Sequence, residues 1–327
     1  MKRIMGKHRY DLFGVRIQLE SDSARVLAEA GLFLREHEVS PAGEADYHLV
    51  FQETHALAET GMPGVKICRS RECQILESDH RVFVSAAEGV ACLDLRDRCA
   101  HGRVFARPNG HSYPKGSVPL VHPLVIRIMH AEGFLPLHAA GVVLEDELLL
   151  LTGDKGSGKS TLAFRLHRRG FGLVGDDLLY LKRCKGRLYG GGHCQPVKLK
   201  TSETGWLSGD CVRVRGQARV RGKTLFSARP LNPNGFNRLY PIRALVFLDK
   251  PRKRGRRTLV SLDREIKVLR HLLGDSPLAN TVGYHARALD WFCAAGSPRL
   301  YFAQSGDDAD ETASAILQAL HQTPPSC

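Results

Sequence analysis

An eight-residue segment near the middle of the chain has the composition of a phosphate-binding loop. Residues 153–160 read Gly-Asp-Lys-Gly-Ser-Gly-Lys-Ser and match the pattern G-x-x-x-x-G-K-[ST] at every defined position. Its glycines allow a tight turn that brings backbone N–H groups onto phosphate oxygens, and the following helix adds the positive end of its dipole. The motif predicts that a nucleoside triphosphate is bound by these residues: Gly153, Asp154, Lys155, Gly156, Ser157, Gly158, Lys159, Ser160 and Thr161.

Two side chains of this loop carry its charge and metal chemistry. Lys159 is expected to reach the β- and γ-phosphates, and the Ser160 hydroxyl to ligate Mg²⁺. The flanks agree, because the apolar segment Leu148–Thr152 predicts a strand and Ser160–Arg169 an amphipathic helix that is closed by Gly170. The sequence therefore predicts an ATP site with Mg²⁺, and it leaves open whether GTP or pyrophosphate can replace ATP.

Two adjacent carboxylates follow the strand after this helix. Asp176 and Asp177 are expected to face the phosphates, since the carboxyl ends of parallel strands meet at one edge of a sheet. One carboxylate can hold Mg²⁺ and the other can accept a proton from an attacking hydroxyl. His138 precedes the loop on the incoming strand, where a histidine is more often structural than catalytic.

The order and spacing of these residues resemble the HPr kinase/phosphorylase superfamily, whose P-loop core is related to that of phosphoenolpyruvate carboxykinase. The matching features are His138-Ala-Ala-Gly, the loop itself, and Arg169-Gly-Phe-Gly-Leu-Val-Gly-Asp176-Asp177. The tight match covers Leu137–Leu181. The resemblance implies an α/β fold: a P-loop kinase core of the HPr kinase/PEP carboxykinase type with a smaller mixed α/β domain at the N-terminus.

The resemblance also implies a reaction. Lys159 would bind ATP, Ser160 and Asp177 would serve the metal, and Asp176 would be the general base, with His138 beside it. The chain is then expected to be an ATP-dependent kinase acting on a Ser or Thr hydroxyl of a protein or peptide, such as the precursor of a modified peptide. The Glu-x-Arg-Gly-x-Gly segment associated with phosphorolysis is absent from the sequence, so neither the reverse reaction nor HPr as substrate is implied. A small-molecule alcohol kinase and an ATP-binding regulatory module without transfer remain as alternatives.

The 327 residues are enough for two domains. A Gly- and Pro-rich segment at 107–116 predicts a boundary between domains 1–112 and 113–327. Strands are predicted at Tyr10–Gln18 and Leu137–Leu144, a helix at Asp263–Leu273, and a Gly-rich hairpin at Tyr189–Gly192. Strands that alternate with helices favour the α/β class.

The chain carries 47 Lys and Arg against 34 Asp and Glu, a formal net charge of +13. That excess favours polyanionic partners such as nucleotide phosphates or an acidic protein or peptide. Two arginine-rich segments, 213–223 and 250–257, are either solvated loops, a mobile lid over ATP, or a docking surface for an acidic substrate. Lys223 is a candidate phosphate contact. Aromatic residues are 7% of the chain and do not alternate with these runs, which argues against nucleic acid.

The remaining composition predicts a location in a bacterial-type cytoplasm or an equivalent reducing compartment. No apolar run approaches the roughly 18 residues of a membrane span, and the basic N-terminus lacks the apolar stretch of a secretory signal. The nine cysteines are scattered without a C-x-x-C pair, and His193-Cys194 with Cys184 lacks metal-site spacing. The family resemblance further implies that the chain assembles into homo-oligomers.

Overall fold

The computed structural model describes residues 6–54, 65–69, 73–105, 120–193, 197–200, 223–226, 237–249, 259–261, 278, 283–293, 298–304 and 309–322. The chain forms two compact units, residues 1–134 and 135–327. The predicted domain boundary after residue 112 lies outside the described residues and stays a prediction. No helix in the described ranges is long and apolar enough to cross a membrane.

The first unit is built on an eight-stranded sheet in the order β1-β2-β3-β8-β7-β6-β5-β4. Its strands and helices, in chain order, are β1 Gly6–Leu12, β2 Val15–Ser21, α1 Ala24–Phe33, a short 3-10 helix Arg35–His37, β3 Tyr47–Thr54, β4 Val65–Arg69, β5 Cys73–Ser78, β6 Arg81–Ala86, β7 Gly89–Asp94, β8 Cys99–Phe105 and α2 Val121–Ala131. Strand β3 is parallel to both β2 and β8, and α1 makes the crossover from β2 to β3.

The prediction of one strand over Tyr10–Gln18 was wrong, because the chain turns back on itself in the middle of that segment. Phe13 and Gly14 both have positive φ, 55° and 91°, which is the geometry of a two-residue hairpin turn. The backbone N–H of Gly14 donates to Oδ1 of Asp11 at 2.8 Å. The sequence did not indicate this hairpin, because its first turn position holds an apolar residue where the usual signal is Asn or Asp followed by Gly.

A buried carboxylate caps α2 from a distant part of the sequence. Glu29 on α1 is fully buried and accepts the backbone N–H groups of Leu120, Val121 and His122 at 3.3, 3.1 and 3.0 Å. These are N–H groups that the first turn of a helix leaves without an intrahelical partner. Burial raises the pKa of Glu29 to about 7, and the three N–H bonds oppose that rise only in part.

The second unit is a mixed sheet in the order β12-β10-β11-β17-β14-β13-β9. In addition, β19 pairs with β17, and β18 pairs with β19. A separate two-stranded sheet is made by β15 and β16. The bounds are β9 Leu135–Leu137, β10 Ala140–Leu144, β11 Glu147–Gly153, α3 Lys159–His167, β12 Gly172–Gly175, β13 Leu179–Cys184, β14 Arg187–Gly192, β15 Val197–Lys200, β16 Lys223–Phe226, β17 Tyr240–Asp249, β18 Leu259–Ser261, α4 Tyr284–Cys293, β19 Arg299–Gln304 and α5 Ala309–Gln322. The predicted α/β class is therefore confirmed.

Strand direction brings the ends of four strands to one edge of this sheet. Strands β11, β17 and β19 are parallel, and β10 is antiparallel to both β11 and β12. Strand β12 therefore points the same way as β11, and the residues after both strands meet at the same edge. Helices α3 and α5 pack on the sheet through a buried core that includes Val142, Leu151, Leu162, Val246 and Ile316.

Two details of the second unit differ from the sequence prediction. The strand expected at Leu137–Leu144 is interrupted between β9 and β10, and Tyr189–Gly192 lies inside β14, whereas the turn is at Lys185 and Gly186. Glycine at position 192 allows two backbone segments to lie close together, since a Cβ on Gly192 would lie 1.8 Å from the carbonyl oxygen of Val174.

Some predicted segments lie outside the described residues. They are the helix at 263–273, the second arginine-rich segment at 250–257, and residues 213–222 of the first. Lys223 begins β16, but its role as a phosphate contact stays a prediction.

Candidate functional site

The predicted phosphate-binding loop joins β11 to α3, as expected from its sequence. Gly153, Gly156 and Gly158 all have positive φ, 139°, 85° and 97°, which side chains with a Cβ rarely adopt. Gly153 also pairs with Leu248 on β17, where a Cβ would lie 2.2 Å from the Leu248 carbonyl oxygen. The glycines are therefore required both by the turn and by the neighbouring strand.

The lysine of the loop is folded over the loop's own backbone. Lys159 is 7% exposed, and its Nζ donates to the carbonyl oxygens of Gly153 at 2.7 Å and Asp154 at 3.3 Å. The N–H of Ser157 also donates to the Asp154 carbonyl at 3.0 Å, which closes the turn. A buried ammonium held by carbonyls is a preformed positive charge at the start of α3, where anions bind.

The other loop residues surround this charge with different exposures. Lys155 and Gly156 are exposed, Ser157 is buried, and Asp154 and Thr161 are half-buried. Bound phosphates would contact exposed residues at the outer edge of the loop and buried residues at its bottom.

The loop and the acidic pair belong to one site. The Ser160 hydroxyl donates to Oδ1 of Asp176 at 2.9 Å across sixteen positions of sequence. Asp176 is 2% exposed, whereas Asp177 is half-buried and has a φ of +69°, a left-handed conformation that Asp tolerates better than most residues. The family resemblance implied that Ser160 and Asp177 together serve the metal, and the hydrogen bond in the structure joins Ser160 to the neighbouring Asp176.

His138 lies in the break between β9 and β10, half-buried, opposite the acidic pair. The register places it there, because Leu137 pairs with Leu179 on one side and Gly141 with Gly175 on the other. Residues 138–140 therefore run alongside residues 176–178 in the opposite direction. The break in the strand that the sequence did not predict occurs at the histidine itself.

The turn that carries the two carboxylates rests on the end of β14. The N–H of Leu178 donates to the Asp176 carbonyl at 2.9 Å, and the N–H of His193 donates to the Leu178 carbonyl at 3.1 Å. A Cβ on Gly175 would lie 2.9 Å from Cα of Gly192. Sequence reasoning missed this support, although the run of three glycines before His193 signalled a close approach of two strands.

The oxygen groups of this site fit Mg²⁺ bound together with nucleotide phosphates. Among the described residues, no group of three or more His, Cys, Asp or Glu side chains is arranged to hold a metal by itself. Mg²⁺ does not need one, because it commonly uses one or two carboxylates, keeps several waters, and takes phosphate oxygens as ligands. Ser160, Asp176 and Asp177 supply oxygens of that kind.

Comparison with known proteins gives partial matches. No protein-family model matches the chain. HPr kinase/phosphorylases of Bordetella petrii and Bordetella pertussis are 32% and 33% identical over 137 residues, which are 40% of this chain and 41% of each relative. The chain thus spans about two fifths of the length of the curated relatives it matches. A solved HPr(Ser) kinase/phosphatase from Coxiella burnetii aligns over 57% of this chain and 99% of its own at 15% identity, with a TM-score of 0.30. The sequence matches confirm the predicted resemblance.

Proposed function

From its place as a divergent HPr-kinase-like protein, we propose that this chain is a kinase that transfers the γ-phosphate of ATP to a Ser or Thr hydroxyl of a protein or peptide. The names of its relatives support kinase chemistry in general. The acceptor, the base and the metal are our proposal.

The observation that carries the proposal is the 2.9 Å hydrogen bond from Ser160 to Asp176. It joins the loop suited to the phosphates of ATP with a carboxylate suited to proton transfer. A protein that only held a nucleotide would need the loop but would have no use for a proton acceptor beside the terminal phosphate. The contact therefore favours transfer over simple binding.

Asp176 is proposed to work through both of its carboxylate oxygens. Oδ1 accepts the Ser160 hydroxyl proton and so would leave the lone pairs of the serine oxygen available to Mg²⁺. Oδ2 accepts the proton of the acceptor hydroxyl as its oxygen forms a bond to the γ-phosphorus. The bond between that phosphorus and the β–γ bridging oxygen breaks, and ADP leaves with the electron pair. His138, which runs alongside the pair, would orient the acceptor hydroxyl or Asp176.

Lys159 and Asp177 would complete the electrostatics. The Lys159 ammonium would exchange its loop carbonyls for the β- and γ-phosphate oxygens, where it stabilises charge that develops during transfer. Ser160 and Asp177 would hold Mg²⁺, which neutralises phosphate charge when it is bound. Fixed charges of this kind need little rearrangement during the reaction, which is why they accelerate it.

A protein or peptide acceptor is favoured over a small alcohol by the charge of the chain. The formal net charge of +13 exceeds what a pocket for a small substrate requires. The curated relatives carry the name of a protein substrate, HPr, and that supports the same class for this chain.

The test is intact mass spectrometry of acceptors after incubation with the protein, ATP and Mg²⁺. The panel contains an HPr-like protein, peptides encoded beside the gene, and free serine. The Asp176→Asn variant keeps an oxygen that can accept the Ser160 hydrogen bond but cannot take a proton. Asp146→Asn is the matched control, because it makes the same change at an exposed turn of this unit.

A gain of one phosphate that persists in Asp146→Asn and is lost in Asp176→Asn, with ATP affinity unchanged, is the expected result. Phosphate found on free serine alone would point instead to a small-molecule kinase. ATP bound by wild type without transfer to any member of the panel would favour a regulatory module.

A further inference from the structure

A basic hairpin extends from the candidate site and has no acidic residue of its own. Strands β13 and β14 and their turn, residues 179–192, carry Lys182, Arg183, Lys185 and Arg187 and contain neither Asp nor Glu. We call this segment the basic hairpin. It begins at Leu179, two residues after Asp177, so any molecule that lies along it also approaches the acidic pair.

Two of its cations have no partner in the described part of the chain. Lys185 and Arg187 are exposed, and neither makes a hydrogen bond through its side chain or an ion pair with a described residue. Arg183 does pair, with Asp290 on α4 at 3.2 Å. The tip of the hairpin therefore presents positive charge that the described residues around it do not neutralise.

Four arginines of the same unit are paired, unlike the two cations at the hairpin tip. Arg165 and Arg169 contact Asp310, Arg238 contacts Asp146, and Arg243 contacts Glu147. Unpaired, exposed cations attract anions most strongly, and their attraction falls off beyond about 8 Å at physiological salt. The tip can therefore recruit an acidic group only by close contact.

We infer that the basic hairpin is a docking surface for an acidic segment of the acceptor, an inference that rests on the proposed kinase function. At about 3.3 Å per residue, the eight positions from Asp177 to Lys185 span at most about 26 Å. An extended acceptor covers that length with about eight residues. The acceptor therefore carries its acidic side chains about six to eight residues from the hydroxyl that is phosphorylated.

The hairpin is held firmly enough to position a bound segment. It is antiparallel-paired along its whole length, from Leu179–Gly192 to Cys184–Arg187. Strand β13 also pairs with β9, which leads directly into His138, and the Arg183–Asp290 contact joins the hairpin to α4. A segment bound at the tip is thus held on the same framework as the candidate catalytic side chains.

The test measures binding of two labelled peptides by fluorescence anisotropy. Both have a serine at one end, and one has glutamates about six to eight residues away where the other has glutamines. Binding to wild type is compared with binding to Lys185→Glu/Arg187→Glu and to Arg35→Glu/Arg96→Glu. Arg35 and Arg96 are exposed cations of the first unit without a described side-chain partner, so both variants change the net charge equally.

The glutamate peptide is expected to bind at least tenfold more weakly to the hairpin variant, and within about twofold of wild type to the control variant. A neutral variant, Lys185→Gln/Arg187→Gln, should give an intermediate loss, which distinguishes lost attraction from added repulsion. Affinity for ATP should be unchanged in all three, which shows that the second unit is folded, and an unchanged circular dichroism spectrum shows the same for the first unit of the control variant. Equal losses in the hairpin and control variants, or equal binding of the two peptides, would overturn the inference.

Two further outcomes separate this inference from the kinase proposal. If the peptides bind as expected but no serine in any acceptor gains phosphate, the docking surface stands and the kinase proposal fails. If acceptors are phosphorylated equally well by wild type and the hairpin variant, the kinase proposal stands and the docking inference fails. A third outcome concerns the class of partner. If a single-stranded oligonucleotide binds wild type more tightly than the glutamate peptide does, and this binding is lost in the hairpin variant, the partner is nucleic acid and not an acidic acceptor.

Discussion

The hydroxyl of Ser160 lies 2.9 Å from Oδ1 of Asp176 and donates a hydrogen bond to it. The serine begins the first turn of α3 and the aspartate follows β12, so the contact depends on β12 and β11 ending at the same edge of the sheet. It connects the predicted phosphate-binding loop with the acidic pair. The loop and the acidic pair therefore meet in one candidate site.

Removal of the Ser160 hydroxyl should weaken Mg²⁺ binding more than nucleotide binding. Ser160→Ala leaves the backbone N–H groups and Lys159 in place but removes an oxygen that we assign to Mg²⁺. We expect the Mg²⁺ concentration for half-maximal transfer to rise at least tenfold. Ser160→Thr retains a hydroxyl and is the control, and the motif accepts either residue. A Thr variant as impaired as the Ala variant would show that the hydroxyl is not the group that matters.

Replacement of His138 should slow phosphate transfer without weakening the binding of ATP. His138→Gln removes a titratable ring that the strand register places alongside Asp176 and Asp177. Loss of a group that orients the reacting atoms can cost about 10²-fold, so kcat should fall by about that factor. The matched control is His167→Gln on α3, whose ring bonds to the Phe171 carbonyl. Unchanged kcat in His138→Gln would assign the histidine a structural role.

A methyl group on Gly192 should destabilise the second unit strongly. Its Cβ would lie 1.8 Å from the Val174 carbonyl oxygen, and two backbone segments would have to separate. We expect Gly192→Ala to cost about 3 kcal/mol or more in the free energy of unfolding. Urea unfolding followed by tryptophan fluorescence measures it, since Trp291 lies in this unit.

Gly186 in the hairpin turn is the control for that change. Its φ is +79°, and nothing lies within 4 Å of a Cβ built there, so Gly186→Ala carries only backbone strain of about 1 kcal/mol. Equal losses for both variants would mean that the close approach to Val174 does not explain the glycine at 192.

The buried cap of α2 should make the stability of the first unit depend on pH. Burial raises the pKa of Glu29 from 4.5 to about 7, so the folded chain favours the protonated carboxyl. Its stabilising contribution is complete below pH 4.5 and is lost as the pH rises through about 7. Glu29→Gln keeps an oxygen for the N–H groups of α2 but does not titrate.

Differential scanning calorimetry at pH 5 and pH 8 measures this difference. Wild type should lose stability relative to Glu29→Gln between the two values, by up to about 3 kcal/mol. A constant difference between the two proteins across this range would contradict the assigned cause. Glu29→Ala should be less stable than both at either pH, because it leaves the N–H groups of Leu120, Val121 and His122 uncapped.

Much of the candidate site could be predicted because its signals are local. A phosphate loop needs glycines at set positions, a lysine and a hydroxyl next to it, and a strand and a helix on either side, all within about twenty residues. The predicted strand β11, helix α3 and closing Gly170 appear close to where they were expected. The resemblance to HPr kinase/phosphorylases depended on a longer block, Leu137–Leu181, and sequence comparison confirms it.

The sequence by itself therefore determined the loop, the class of fold and the residues that could carry the chemistry. Only the tertiary structure decided which of them touch. The Ser160–Asp176 bond, the position of His138 opposite the acidic pair, and the capping of α2 by Glu29 each join residues that are far apart in the chain. Local propensity carries no information about such pairs, because strand register and close packing set them only when the whole sheet has formed.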